Sequence, residues 1–123
     1  MATWDDVAWL ALALAETSEK SSYGNPGWAV RGKVFAWERP LSAKDRGALG
    51  DAAPDAVPLG VAVPDLGAKE ALLADDPHVF LTTPHFDGHP VVLVRVERIG
   101  VDVLAEVLGE AWAVKAPRGL ASG

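Results

Sequence analysis

The chain has 123 residues and half of them are hydrophobic, which predicts one domain built around a single core. It contains no cysteine, and this excludes disulfide bonds, thiolate zinc sites, iron–sulfur clusters and a cysteine nucleophile. Eleven Lys and Arg residues stand against seventeen Asp and Glu residues, which gives a formal charge of −6. An acidic chain repels polyanions, so nucleic-acid binding would require a local basic patch.

The first predicted element is a helix from about Trp4 to Ala15. Thr3 is a favourable N-cap, and apolar residues then recur at helical spacing. The apolar run 7–15 follows Asp5 and Asp6 rather than a positively charged segment, and it is shorter than the ~20 residues that span a bilayer. We therefore expect a cytoplasmic protein with neither a secretion signal nor a membrane span.

A β-hairpin is the next predicted element. Two short runs rich in Trp, Val, Phe and Ala, 28–31 and 33–38, favour strands. A two-residue turn at Arg31-Gly32 would connect them and would place Trp28 opposite Phe35.

The remaining predicted elements are separated by turns rich in Pro, Gly and Asp. In chain order they are a loop at 39–54 with one helical turn, a strand at 57–63, a helix at 66–74, strands at 79–83 and 91–98, and a helix from Val101. The complete order α-β-β-β-α-β-β-α predicts an α+β fold, with a five-stranded antiparallel sheet and helices packed on one face. We expect a single domain over residues 1–117 and a short C-terminal tail at 118–123.

No motif with a known chemistry is complete in this sequence. Residues 27–33 have the spacing of a phosphate-binding loop, but Val34 stands where Ser or Thr should ligate magnesium. His85, Asp87 and His89 are metal-ligand types at alternate positions, yet the prolines and the glycine around them keep the side chains from converging. We therefore expect no metal, no cofactor and no catalytic residue, and a protein that is not an enzyme.

Positive charge is concentrated in the predicted hairpin and the loop after it. Within residues 28–46 five cations outnumber two anions, whereas the rest of the chain is acidic. The five cations are Arg31, Lys33, Arg39, Lys44 and Arg46. Two interpretations stay open: a solvated hairpin tip, or a wing that contacts an anionic partner.

Three stretches of the sequence resemble the MmcQ/YjbR family of small bacterial proteins. They are 12–37, which contains YGNPGWAVRGKVFAW, 82–95, which reads TTPHFDGHPVVLVR, and 101–117 with its Ala111-Trp112 pair. The resemblance covers nearly the whole chain and implies a CyaY-like fold, an arrangement described as a double wing that binds DNA. The family motif supplies no catalytic residues.

The basic hairpin and this resemblance together predict a DNA-binding module. Arg31 and Lys33 at the tip, with Arg39 behind them, would contact phosphates. Trp28 or Trp37 would pack against a sugar or a base.

A second hypothesis is a non-catalytic domain that binds a small ligand or a protein, including a second copy of the chain as a homodimer. Val91, Leu93 and Arg95 share the face of the last strand that looks half-solvated. Together with Tyr23 and the loop around His85, this face would line a pocket or a dimer patch. An enzyme with a site around His85 and Tyr23 is a third, less favoured hypothesis.

Overall fold

The computed structural model describes residues 1–120, which fold into four α-helices and six strands. In chain order these are α1 (Trp4–Leu12), β1 (Thr17–Glu19), β2 (Gly27–Val30), β3 (Lys33–Glu38), α2 (Ala43–Leu49), β4 (Leu59–Ala62), α3 (Leu66–Asp75), β5 (Phe80–Leu81), β6 (Val91–Val94) and α4 (Val101–Lys115). Two 3₁₀ turns, Gly50–Ala52 and Pro84–Phe86, lie between them. None of the helices in this part of the chain has the length and apolar character needed to cross a membrane. The predicted tail at 118–123 lies partly outside the described residues; within them, Leu120 packs against the main core.

The strands of residues 1–120 form one antiparallel sheet in the spatial order β1-β2-β3-β4-β6-β5. The predicted α+β class with an antiparallel sheet is confirmed, but the predicted number of five strands is wrong. The additional strand is β1, in which Thr17 pairs with Val30 and Glu19 pairs with Trp28. Its three residues are polar and mostly exposed at the sheet edge, so they carry no alternating apolar pattern.

The predicted loop at 39–54 contains an additional helix, α2. Ser42 and Asp45 form a capping box at its start: Asp45 N donates to Ser42 Oγ at 3.1 Å, and Ser42 N donates to Asp45 Oδ2 at 2.9 Å. Thr3 and Asp6 start α1 in the same way. Both helices therefore begin where a hydroxyl residue is followed three positions later by aspartate.

Two tight turns lie at the opposite ends of β2. Tyr23-Gly24 precedes this strand, with φ angles of 51° and 81°, and Arg31-Gly32 follows it, with φ angles of 47° and 83°. Positive φ at both central positions suits the right-handed twist of the flanking strands, and glycine adopts it without strain. The predicted turn at Arg31-Gly32 is confirmed.

A bulge in β3 changes the predicted register of the hairpin. Trp28 lies opposite Ala36, and the next residue of β2 lies opposite Val34, which leaves Phe35 as an extra residue in β3. The predicted pairing of Trp28 with Phe35 is therefore wrong. As a result Phe35 and Ala36 are both buried in the main core, whereas Val34 and Trp37 are only partly buried.

The sheet is covered on both faces. The main core lies between the sheet and helices α1, α3 and α4, and its fully buried side chains include Val7, Phe35, Val61, Val92, Leu104 and Leu108. A second cluster contains Leu81, Phe86 and Leu93, with Trp37 and Leu49 packed against them. Leu49 belongs to α2, so the expectation that all helices pack on one face is wrong.

The expected half-solvated face of β6 is also covered by this second cluster. Leu93 is fully buried and Arg95 is 6% exposed, whereas Val91 is partly exposed. Of the three residues predicted to form this open face, only Val91 is partly exposed.

Candidate ligand-binding site

The arginine of the predicted wing tip is neutralised within the protein. Arg31 donates from Nε and Nη2 to Oε2 of Glu16, at 3.0 and 2.7 Å. This hydrogen-bonded pair lowers the pKa of Glu16 and raises the pKa of Arg31, so both groups stay charged. Lys20 donates to the carbonyl oxygen of Gly32 at 2.7 Å and, like Lys33, adds an exposed cation to this tip.

Trp28 lies in the core, so the prediction that it contacts nucleic acid is wrong. Its side chain is 2% exposed, and its ring stacks on Trp4 with the centroids 6.4 Å apart and the planes at 14°. Among the described residues, the buried Nε1 of Trp28 has no hydrogen-bond partner. A ring at this depth would reach a base only if β2 left the sheet.

Arg39 lies at the other end of β3 from Lys33. Its Nη2 is 3.3 Å from Oδ2 of Asp45, and its Cζ is 5.3 Å from the centroid of the Phe86 ring. Burial raises the pKa of Asp45, but hydrogen bonds with Ser42 and the charge of Arg39 outweigh that effect and lower it below its ordinary value. The four predicted contact residues are thus divided among the core and the two ends of one hairpin.

A cleft of about 800 Å³ opens beside β3, between the Tyr23-Gly24 turn and the loop 84–90. We call it the sheet cleft. More of its surface is apolar than polar, and its lining includes Tyr23, Val34, Trp37, His85, Phe86 and Val91. The structure therefore brings the predicted pocket residues Tyr23 and His85 to one cavity.

The indole of Trp37 packs directly over Gly60, where the lack of a side chain leaves room for the ring. A Cβ atom on Gly60 of β4 would be 2.8 Å from Cε2 and 2.9 Å from Cζ2 of Trp37. The indole also packs against Phe86, with ring centroids 6.5 Å apart and planes at 58°. The sequence analysis gave Trp37 only as an alternative to Trp28 for contact with nucleic acid and did not place it in a pocket, because both the bulge and the contact with Gly60 depend on pairing between strands.

Lys69 of α3 holds the loop that forms one side of the sheet cleft. Its Nζ donates to the carbonyl oxygens of Phe86 and His89, at 2.6 and 3.0 Å, and the residue is 6% exposed. Burial lowers the pKa of Lys69, and the negative charge of Asp87 opposes this effect. A charged donor with two carbonyl acceptors fixes the loop in place.

The two polar rings of the cleft lie on hydrogen-bonded turns. Tyr23 is fully exposed at its turn, around which Ser22 and Asn25 exchange backbone hydrogen bonds of 2.8 and 3.0 Å. His85 stands edge-on to Phe86, with ring centroids 4.8 Å apart. Both rings can therefore contact a ligand without movement of the main chain.

Arg95, the third predicted pocket residue, does not line the sheet cleft. Its Nη2 donates to Ala52 O at 2.6 Å and its Nη1 donates to Pro77 O at 3.2 Å. The grouping of Arg95 with Tyr23 and His85 is therefore wrong.

The sheet cleft offers stacking and hydrogen-bonding groups rather than a metal centre. Within residues 1–120, no three His, Asp or Glu side chains lie close enough together to hold a metal ion. His85 and His89 both line the cleft, but Asp87 does not.

Fold and cleft together define a small α+β domain with a preformed cavity. The chain belongs to the YjbR family, whose model matches residues 12–114, and the resemblance to the MmcQ/YjbR family is thereby confirmed. It is 49% identical over 123 residues to protein Mb2600 of Mycobacterium bovis and to protein Rv2570 of Mycobacterium tuberculosis, covering 98% of this chain and 93% of each relative. The crystal structure of Deinococcus radiodurans protein DR2400 is similar with a TM-score of 0.68 and 16% identity, over 98% of this chain and 83% of that chain. At that identity the similarity shows the fold alone.

Proposed function

We propose that this protein is a non-catalytic domain that binds a small ligand in the sheet cleft. One observation carries the proposal: the partly buried indole of Trp37 lines a cavity that is already formed. The volume of about 800 Å³ falls within the ~300–1,000 Å³ typical of small-molecule sites. Binding would therefore need no opening of the sheet or the core.

The lining favours a flat apolar ligand that carries a negative group. Trp37 and Phe86 supply aromatic surface, and stacking of this kind contributes ~0.5–1.5 kcal/mol beyond burial. Lys115 and Arg39, which also contacts Asp45 at 3.3 Å, supply the positive charge of the cleft, and Glu38 supplies its one lining carboxylate. An aromatic carboxylate combines both features.

An NMR titration with 2-naphthoate, an aromatic carboxylate, tests the proposal. We expect the backbone amide signals of Val34, Trp37 and Val91 to shift together with one dissociation constant, while the signals of α1 stay in place. Shifts that map to α1, or an absence of shifts at millimolar ligand, would contradict the proposal.

A matched pair of variants locates the ligand. Val34→Glu places a carboxylate in the cleft and should weaken 2-naphthoate binding at least tenfold, which corresponds to about 1.4 kcal/mol. Val103→Glu makes the same change at a valine of α4 that is 45% exposed and does not line the cleft. Equal affinities of the two variants would place the ligand elsewhere.

DNA binding by the basic hairpin is the second candidate function, and one observation favours it. Lys20 joins Arg31 and Lys33 at the turn, which brings three cations to this tip. Glu16 offsets this charge by pairing with Arg31 at 2.7 Å, and the chain as a whole carries a charge of −6. Three phosphate contacts would give a salt slope of about −2.7, which corresponds to weak binding by one copy of the chain.

Fluorescence anisotropy with a labelled duplex at low salt separates the two functions. From the cleft proposal we expect no saturable binding. If the hairpin does bind phosphates, Glu16→Gln should tighten binding by releasing Arg31, whereas Glu110→Gln on the exposed side of α4 should not. Tightening by Glu16→Gln alone would favour the DNA-binding hypothesis.

A further inference from the structure

A second cavity, of about 540 Å³, lies away from the sheet cleft, between the 3₁₀ turn Gly50–Ala52 and the segment that joins α3 to β5. We call it the Arg95 pocket. Its lining includes Ala52, Asp55, Pro77, His78, Arg95 and Arg98. The family match assigns no role to this pocket, and it shares no lining residue with the sheet cleft.

Arg95 is a buried cation without a carboxylate partner. The residue is 6% exposed, and its two described hydrogen bonds go to neutral carbonyl oxygens, those of Ala52 and Pro77. A guanidinium group has five N–H donors and stays protonated, so donors and a full charge remain available. Burial lowers the pKa of Arg95, and the nearby charge of Arg98 lowers it further, although Glu97 opposes this. A buried charge of this kind is costly unless an opposite charge approaches it.

A second guanidinium lines the same pocket. Arg98 is exposed, and its Nη1 donates to the carbonyl oxygen of His78 at 3.3 Å. Asp51, Asp55 and Glu97 line the pocket as well. Over residues 1–120, however, no carboxylate oxygen lies within 4.0 Å of a nitrogen of Arg95 or Arg98, since the ion pairs found there are those of Arg31 and Arg39.

We propose that the Arg95 pocket binds an oxyanion, namely the phosphate or carboxylate group of a small molecule. Guanidinium groups present paired N–H donors that match two oxygens of such a group, and hydrogen bonds between charged partners are roughly twice as strong as neutral ones. Arg95 supplies a buried donor set held by two carbonyl groups, and Arg98 supplies an exposed one. The bound anion provides the counter-charge that Arg95 lacks.

Calorimetric titration of the full chain with inorganic phosphate tests this site, at an ionic strength held constant with potassium chloride. Arg98→Gln should weaken phosphate binding at least tenfold, because a hydrogen-bonded charge is lost. The fold should be unaffected, since the Arg98 side chain is exposed. Arg118→Gln removes an exposed guanidinium outside the pocket and should leave the affinity unchanged. Equal affinities of these two variants, or no heat of binding at millimolar phosphate, would overturn the proposal.

Two further measurements define the ligand and separate this site from the sheet cleft. Titration with citrate in place of phosphate distinguishes a carboxylate ligand from a phosphate ligand. Whichever anion binds more tightly, its binding supports the site if Arg98→Gln weakens that binding. Val34→Glu, which alters the sheet cleft, should not change phosphate binding. Loss of phosphate binding in Val34→Glu with full binding in Arg98→Gln would place the anion in the cleft and refute the assignment to Arg95.

Discussion

Replacing Gly60 with alanine tests directly how Trp37 forms the sheet cleft. The new Cβ would be 2.8 Å from Cε2 and 2.9 Å from Cζ2 of the indole. Carbon atoms pack best at ~3.5–4.0 Å, so the ring has to shift by about 1 Å. Because Trp37 lines the sheet cleft, it can shift into that space and reduce the volume available to a ligand.

The change in the free energy of unfolding caused by Gly60→Ala follows from two opposing contributions. Overpacking in a close-packed region costs ~1–3 kcal/mol, whereas replacing glycine with alanine gains ~0.4–1 kcal/mol by restricting the unfolded chain. We therefore expect Gly60→Ala to lower the free energy of unfolding by up to about 2.6 kcal/mol, with a midpoint of about 1.3 kcal/mol. Gly109→Ala in α4 is the matched control, because a Cβ there meets no atom within 4 Å. It should raise the free energy of unfolding by up to about 1 kcal/mol, as expected for a helix interior.

Urea denaturation of both variants, followed by 2-naphthoate titration, gives the measurements. Gly60→Ala should weaken 2-naphthoate binding, and Gly109→Ala should not. Trp37→Leu removes the two clashing atoms, so Gly60→Ala should cost less in that background than in the native chain. Stabilisation by Gly60→Ala equal to that of Gly109→Ala, or the same cost with and without Trp37, would refute this account of the cleft.

Two further predictions concern the groups that hold the cleft in shape. Lys69→Met should remove the two charged hydrogen bonds to the carbonyl oxygens of Phe86 and His89, each of which keeps one backbone N–H donor, and lower the free energy of unfolding by ~1–3 kcal/mol, with faster amide hydrogen exchange in the loop 84–90. Lys44→Met, at an exposed lysine of α2, is its control. Asp45 has a lowered pKa in the folded chain, so its contribution to stability is complete above its unfolded pKa of ~3.9 and is lost as the pH falls through the folded value. Urea unfolding between pH 7 and pH 3 should therefore show a smaller loss of stability with falling pH in Asp45→Asn than in the native chain.

Elements that depend on local chemistry were predicted well from the sequence. Thr3 caps α1, and Arg31-Gly32 forms the turn of the second hairpin, because capping and positive φ are set by a few adjacent residues. The same capping chemistry at Ser42 was present in the sequence and marks the start of α2. The glycines and alternating charges of that segment favour a loop, and the capping box overrides them.

Features that depend on pairing between distant segments were not predictable in this way. Trp37 lines the cleft because of a bulge and because Gly60 on the next strand makes room for its ring. Arg95 is buried because two carbonyl groups from separate segments, those of Ala52 and Pro77, accept its hydrogen bonds. Strand periodicity fixes which face a residue takes only while the alternation is regular, and a single extra residue reverses it.

The length of β2 separates the basic tip from the end of the sheet cleft next to Tyr23, although Val34 brings the cleft lining to within one residue of Lys33. The turns Tyr23-Gly24 and Arg31-Gly32 are separated by residues 25–30, and at ~3.3 Å per residue they lie roughly 20 Å apart. This distance exceeds the Debye length of ~8 Å at physiological salt, so a charge change at Arg31 is largely screened from the end of the sheet cleft next to Tyr23. Glu16→Gln should accordingly change 2-naphthoate affinity at physiological salt less than Val34→Glu does, because Val34 itself lines the cleft. If Glu16→Gln changes the affinities for DNA and for 2-naphthoate by the same factor, the hairpin moves as a unit. The cleft and the basic tip would then form one binding surface.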